Sequence, residues 1–176
     1  MTGKFYDSYM PVFDAIKAAL VYVPAVPEVA AVPAHGDVPE VPAVPGVPAH
    51  GIEALKTVVI GEQFTLDGLP KATINPVPGP IDDLAMDGPL EVLVRGSISV
   101  VIREYAPKNF VVDVVKPMSA VVDALLADRK LGGVVKDCRP VMFAPGEFKF
   151  KDAAGKDRLL YGGDILFEAK LWFTPS

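Results

Sequence analysis

VVDVVKPMSAVVDALLADRKLGGVVKDCRP, residues 111–140, contains the best helix in the sequence. Met118, Val121, Val122, Leu125 and Leu126 recur at i, i+3, i+4, i+7 and i+8, one apolar face at the helical period of 3.6. Asp113 is the expected N-cap. Pro117 is tolerated only in a first turn, so the helix is expected to start between the two. Arg129 and Lys130 are expected in the last turn, where cations meet the negative end of the helix dipole. Gly132 and Gly133 are expected to stop the helix, because glycine takes the left-handed C-cap conformation without steric cost. A long helix with one greasy side must lie on something, and the rest of the chain has to supply that surface.

Working outward, residues 91–105 alternate. Val92, Val94, Ile98, Val100 and Ile102 point one way; Glu91, Arg95, Ser97, Ser99 and Arg103 point the other. Such a strand belongs to a sheet with one dry and one polar face. Gly96 interrupts the apolar row, as expected of a bulge or of a close approach by the helix. Past the helix, residues 138–143 and 146–151 read as extended, residues 152–157 as a turn, and residues 158–161 as the returning arm of a hairpin. Gly162 and Gly163 are expected to break that run before a last strand, 165–173. There Ile165, Phe167, Ala169, Leu171 and Phe173 oppose Glu168, Lys170 and Trp172. Towards the N-terminus, Ser8 caps an expected helix over residues 9–22, with Pro11 in its first turn and Val12, Phe13, Ile16, Ala19 and Leu20 as its apolar face. Residues 56–64 and 71–77 read as two more strands. The expected fold is α+β, one domain spanning residues 1–176. It has a largely antiparallel or mixed sheet with two helices on one face, plus a Pro-rich extended arm.

That arm, residues 23–51, is VPAVPEVAAVPAHGDVPEVPAVPGVPAHG. Prolines stand at 24, 27, 33, 39, 42, 45 and 48, always separated by multiples of three. Polyproline II has three residues per turn, so the prolines share one edge. The segment is a tandem duplication: residues 23–36 match 38–51, and both copies end in Pro-Ala-His-Gly. It reads as an inserted arm that docks on a neighbouring subunit, against the plainer alternative of a semi-rigid surface loop. Metal binding by His35 and His50 is disfavoured, since neither Cys nor a close carboxylate pattern accompanies them. The prolines also forbid reading this apolar stretch as a membrane span.

A formal net charge of −5 argues against a surface that grips nucleic acid. One cysteine, Cys138, excludes an intrachain disulfide and fits a reducing cytoplasm. Residues 10–23 carry Asp14 and Lys17 and no basic leader, so no signal peptide is expected. The acidic stretch around Asp82, Asp83, Asp87 and Glu91 lacks calcium-loop spacing and reads as a solvated turn. No catalytic constellation emerges. The histidines lie in the Pro-rich repeat, Cys138 has no nucleophile context, and LGG at 131–133 is a helix stop, not a phosphate loop. No enzyme activity, cofactor or metal is expected. Asp128 and Arg129 read as solvated residues at a helix end or as contacts across a subunit boundary.

ALLADRKLGGVVKDCRP, residues 124–140, resembles the hallmark of the tail terminator (tail completion) proteins of long-tailed bacteriophages. The pattern there is close to Leu-x-x-Asp-x-x-Leu-Gly-Gly-x-Val-x-Asp, matched here by Leu125, Asp128, Leu131, Gly132, Gly133, Val135 and Asp137. The likeness covers residues 5–22 and 52–174, and the Pro-rich duplication departs from it. It implies a structural virion protein, assembled in the host cytoplasm and resident in the tail or neck. Such proteins form a hexameric ring on the head-proximal end of the tail tube, stop its growth, and present a surface to the head–tail connector. DNA passes through the lumen without specific binding, and no membrane is involved. The interface residues this suggests are Asp128, Arg129, Leu131 and Arg139, with Pro27, Pro33, Pro42 and Pro48 of the arm. Another neck or tail component, such as a head–tail joining protein or tube subunit, and a Pro-rich-arm binding module are the competing expectations.

Overall fold

Five extended segments, the longer ones alternating apolar and polar residues, make one sheet, and two amphipathic helices close its dry face. The computed structural model describes residues 4–28, 30–31, 42–43, 45–46, 48–61, 68–78, 90–151 and 154–173; the side chains of residues 4–8, 90 and 173 are outside that description. The elements in chain order are α1 (Lys4–Leu20), β1 (Thr57–Ile60), β2 (Lys71–Pro76), β3 (Leu90–Arg103), α2 (Lys116–Ala127), β4 (Asp137–Lys151) and β5 (Asp157–Phe173). The sheet order is β1-β2-β3-β5-β4, with β1 parallel to β2 and every other pair antiparallel. The fold is thus α+β with a mixed sheet. Among the described residues no helix is long and apolar enough to cross a membrane.

One core joins the layers. Val12, Phe13, Ile16 and Leu20 of α1 and Met118, Val121 and Leu125 of α2 pack on Val92, Val94, Ile98 and Val100 of β3 and Ile165, Phe167, Ala169 and Leu171 of β5. The dry row expected of β3, and that of β5 as far as Leu171, are the rows found, because burial follows the two-residue period of the pleat; the Phe173 side chain lies outside the described residues. On α2 the buried stripe is narrower than expected. Val114, Met118, Val121 and Leu125 are fully buried, whereas Leu126 is 49 % exposed. A helix resting on a sheet needs only this four-three-four row, and Leu126 falls on its flank.

Both ends of α2 differ from expectation for local reasons. Asn109, not Asp113, is the cap: its Oδ1 accepts the N–H groups of Val111 and Val112 at 3.1 and 3.3 Å. Asp113 returns the favour, its Oδ2 accepting the Asn109 N–H at 3.2 Å. Between the cap and Pro117 the chain forms a π turn, Val111–Val115, in which the Lys116 N–H reaches the Val111 carbonyl. Proline lacks an N–H and its ring crowds the carbonyl four residues back, so a wider turn ahead of Pro117 relieves both problems. At the other end the helix stops at Ala127, before Arg129 and Lys130, because Asp128 leaves helical geometry at φ −132° and ψ 81°.

The helix α1 begins at Lys4, so Pro11 lies inside it and removes one backbone bond instead of opening a first turn. The strand β4 is continuous where two pieces were expected, with a bulge between Pro140 and Met142. As an edge strand it tolerates Pro140 and Pro145, which lack ladder donors. The strand β5 runs unbroken through Gly162 and Gly163. Gly96 marks neither bulge nor helix contact. It faces Phe167 across the β3–β5 ladder, and the ring lies over it.

The arm leaves and returns at one place. The Ile52 N–H bonds to the Leu20 carbonyl at 3.1 Å, and Val23 and His50 exchange two backbone bonds of 2.9 and 3.1 Å. Gly51 turns there with φ +81°, where a Cβ would sit 2.0 Å from the Val21 carbonyl oxygen. Gly46 lies against the backbone of Val26 and Glu28, so the two copies of the repeat run side by side near their base.

Candidate interaction surface

The loop after α2 is built by the residues of the Leu-x-x-Asp-x-x-Leu-Gly-Gly-x-Val-x-Asp stretch, Leu125 to Asp137. Asp128 Oδ1 accepts the Lys130 N–H at 3.1 Å and its Oδ2 accepts the Gly132 N–H at 2.6 Å. Leu131, Gly132 and Gly133 follow with φ of 48°, 66° and 91°. Leu131 bears that left-handed conformation because its side chain is anchored in the core, only 4 % exposed. Val135 is a second anchor. Arg129 Nη2 lies 2.7 Å from Asp137, and the Cys138 N–H donates to the Arg129 carbonyl, locking the loop to the start of β4. Gly132 has open space around it, so Gly132→Val should cost only the backbone penalty, about 1–2 kcal/mol. Thermal melting checks this, and Gly132→Asn should fall less because Asn tolerates the left-handed region.

Cys138 is fully buried, and burial pushes its thiol up to about 12, with the neighbouring Asp137 charge adding to the rise. A raised folded value means that the native state holds its proton more tightly than the unfolded chain. This contribution is intact below the unfolded pKa, near 9, and is lost as pH climbs from there towards the folded value. Urea midpoints taken between pH 8 and 10.5 should therefore fall more steeply for the native chain than for Cys138→Ala.

The other face of the sheet carries a mixed-charge ladder. Arg95 and Arg139 both reach Glu168, at 2.9 and 3.4 Å. Ser99 donates to Asp164 at 2.6 Å. Lys170 and Lys136 approach Glu91 at 3.1 and 3.5 Å. The hydrogen bond from Lys170, reinforced by the charges of both lysines, holds the Glu91 carboxyl below the usual range. Pairs at or near the surface gain little against hydration and salt, so their worth lies in pattern more than in stability. Lys136 also stands 4.7 Å over the ring of Trp172, which is 54 % exposed. Further along the face, Val77, Pro78, Val141 and Leu166 line a pocket of about 240 Å3 rimmed by Arg95 and Glu168.

Of the residues singled out in the sequence, Asp128, Arg129 and Arg139 are exposed, and Leu131 is buried in its own core. Pro27, Pro42 and Pro48 are exposed in the arm, while Pro33 lies outside the described residues, as do His35, Asp82, Asp83 and Asp87. Trp172, Lys136 and the pocket were not singled out. Their signal was the polar side of the alternation in β3 and β5, but which charges meet depends on a register that only the structure supplies. Among the described residues, no three His, Cys, Asp or Glu side chains come together as a metal site. A separate depression of about 680 Å3 lies beside Arg103, which pairs with Asp113 at 3.1 Å and stacks on Tyr105 at 4.0 Å. No protein-family model matches this chain, and no curated protein matches it.

Proposed function

We propose that this is a structural virion protein that forms a ring at the head-proximal end of a phage tail tube, ends tube polymerisation and offers a surface for head–tail joining. What carries the proposal is the segment from Leu125 to Asp137. All seven positions of the tail-terminator-like pattern have defined tasks there: Leu125, Leu131 and Val135 anchor, Asp128 accepts two backbone N–H groups, the glycines turn, and Asp137 holds Arg129. The polar sheet face, which no helix covers among the described residues, and the long edge strand β4 also suit a subunit that meets neighbours on several sides. Negative-stain imaging of the purified chain, alone and with tail tubes, tests this. A six-fold annulus, or a monomer that caps tube ends, is the expected result. Open stacks of indefinite length would reassign the chain as a tube subunit, and a monomer that ignores tubes would overturn the proposal.

A further inference from the structure

We propose that the sheet face turned away from the helices, between Trp172 and the pocket at Leu166 and Val141, is the seat for the Val-Pro arm of a second copy. The inference rests on the ring reading only for the premise that the chain associates with itself. It names what lies between the copies.

The described residues of the arm are mostly apolar yet exposed. Val23 and Val26 are 37 and 50 % exposed, and residues 24–28, 42–43, 45–46 and 48–50 are all exposed. Its base sits in the helix layer, where His50, Gly51 and Ile52 share a depression with Ala120 and Ala124 of α2. The exposed tryptophan is on the opposite side of the sheet. An arm would have to turn around a sheet edge to cover its own face, whereas a neighbour's arm meets that face directly.

The occupant matches in chemistry. Polyproline II segments dock by laying prolines on exposed aromatic rings and into small apolar slots. Trp172 supplies the ring and the 240 Å3 pocket supplies the slot. The arm carries Glu28, Asp37 and Glu40 with no Lys or Arg, and the face sets four cations, Lys136, Arg139, Lys170 and Arg95, against only the two carboxylates they share, Glu91 and Glu168. The spacing matches as well. Trp172 and Leu166 point to the same face six residues apart on β5, about 20 Å at ~3.3 Å per residue. Pro27 and Pro33, and again Pro42 and Pro48, are also six residues apart, about 19 Å at ~3.1 Å per residue in polyproline II. Each copy of the duplicated repeat can therefore place one proline on the ring and another in the slot.

Trp172 is the only tryptophan in the chain, so its fluorescence reports on this face alone. Iodide quenching is measured on the full-length chain across a dilution series. Two full-length variants accompany it: one with Val26, Val41 and Val44 changed to Ser, and Trp172→Ala. Association of the native chain should protect Trp172 from quenching, and the arm variant should lose that protection. Adding the Trp172→Ala chain, which has no tryptophan emission but carries an intact arm, should restore protection to the arm variant. The inference fails if Trp172 stays quenched in the associated native chain. It fails equally if protection does not depend on concentration, which would mean that a chain's own arm covers the face, or if the mixture restores nothing. Imaging the same samples separates the two proposals. Closed rings with a quenched Trp172 would leave the ring standing without this contact. A protected Trp172 in dimers or open chains would keep the contact and remove the ring.

Discussion

Gly162→Ala is expected to cost this protein more than about 3 kcal/mol, a large share of the stability of an ordinary domain. The residue sits mid-sheet, paired with Val101 of β3 on one side and Gly146 of β4 on the other. A Cβ there would lie 1.9 Å from the Val100 carbonyl oxygen and 3.0 Å from the Val101 Cα. Both atoms are backbone, so no side-chain rotation relieves the overlap. The β3–β5 ladder would have to part, and the core rows on either strand would go with it. Gly163 is hemmed in from the other side, where a Cβ would stand 2.1 Å from the Ala144 carbonyl oxygen. Gly146 serves as the control. It pairs with Gly162, but a Cβ on it meets nothing within 4 Å, so Gly146→Ala should stay within about 0.5 kcal/mol of the native chain. Urea unfolding of the two variants side by side checks this. Equal midpoints would mean that the strands do not approach as closely as the structure has them.

The same pair of glycines shows where sequence reasoning runs out. Gly-Gly after a short extended run reads as a break, because glycine punctuates chains. Here it marks the point at which three strands crowd together, and that use is visible only once the neighbours are known. The periodic elements were legible because their burial is a local property: Val92 to Val100 and Ile165 to Leu171 alternate whatever strand lies beside them. Cap assignments failed where two acceptors competed. Asp113 stood at a plausible distance from Pro117, but Asn109 sits one turn earlier and bonds two N–H groups, and the π turn absorbs the proline. The candidate surface was half legible. The polar rows of β3 and β5 could be read off the sequence. The meeting of Arg95 and Arg139 at Glu168 depends on a register and on a β4 bulge that no period announces.

Phe167 and Gly96 should behave as one unit. Phe167 is 1 % exposed and takes the edge of Phe13 at 6.1 Å, so its ring joins α1 to the sheet. Phe167→Ala removes that joint and leaves a cavity, an expected loss of about 3–5 kcal/mol. Gly96 is what lets the ring lie flat. A Cβ at that position would meet Phe167 Cζ at 2.3 Å and Cε1 at 2.6 Å. The ring cannot swing away freely, since α1 packs above it, so Gly96→Ala should cost about 1–3 kcal/mol by overpacking. In a Phe167→Leu background the obstructing ring atoms are gone, and the same alanine should cost less. The double-mutant cycle is therefore expected to show a coupling of roughly 1 kcal/mol, with the pair of changes milder than their sum. Additivity within about 0.5 kcal/mol would mean that the aromatic ring does not occupy the space above the glycine. The strand pairing at that point would then need another explanation for having no side chain in the middle of an otherwise apolar row.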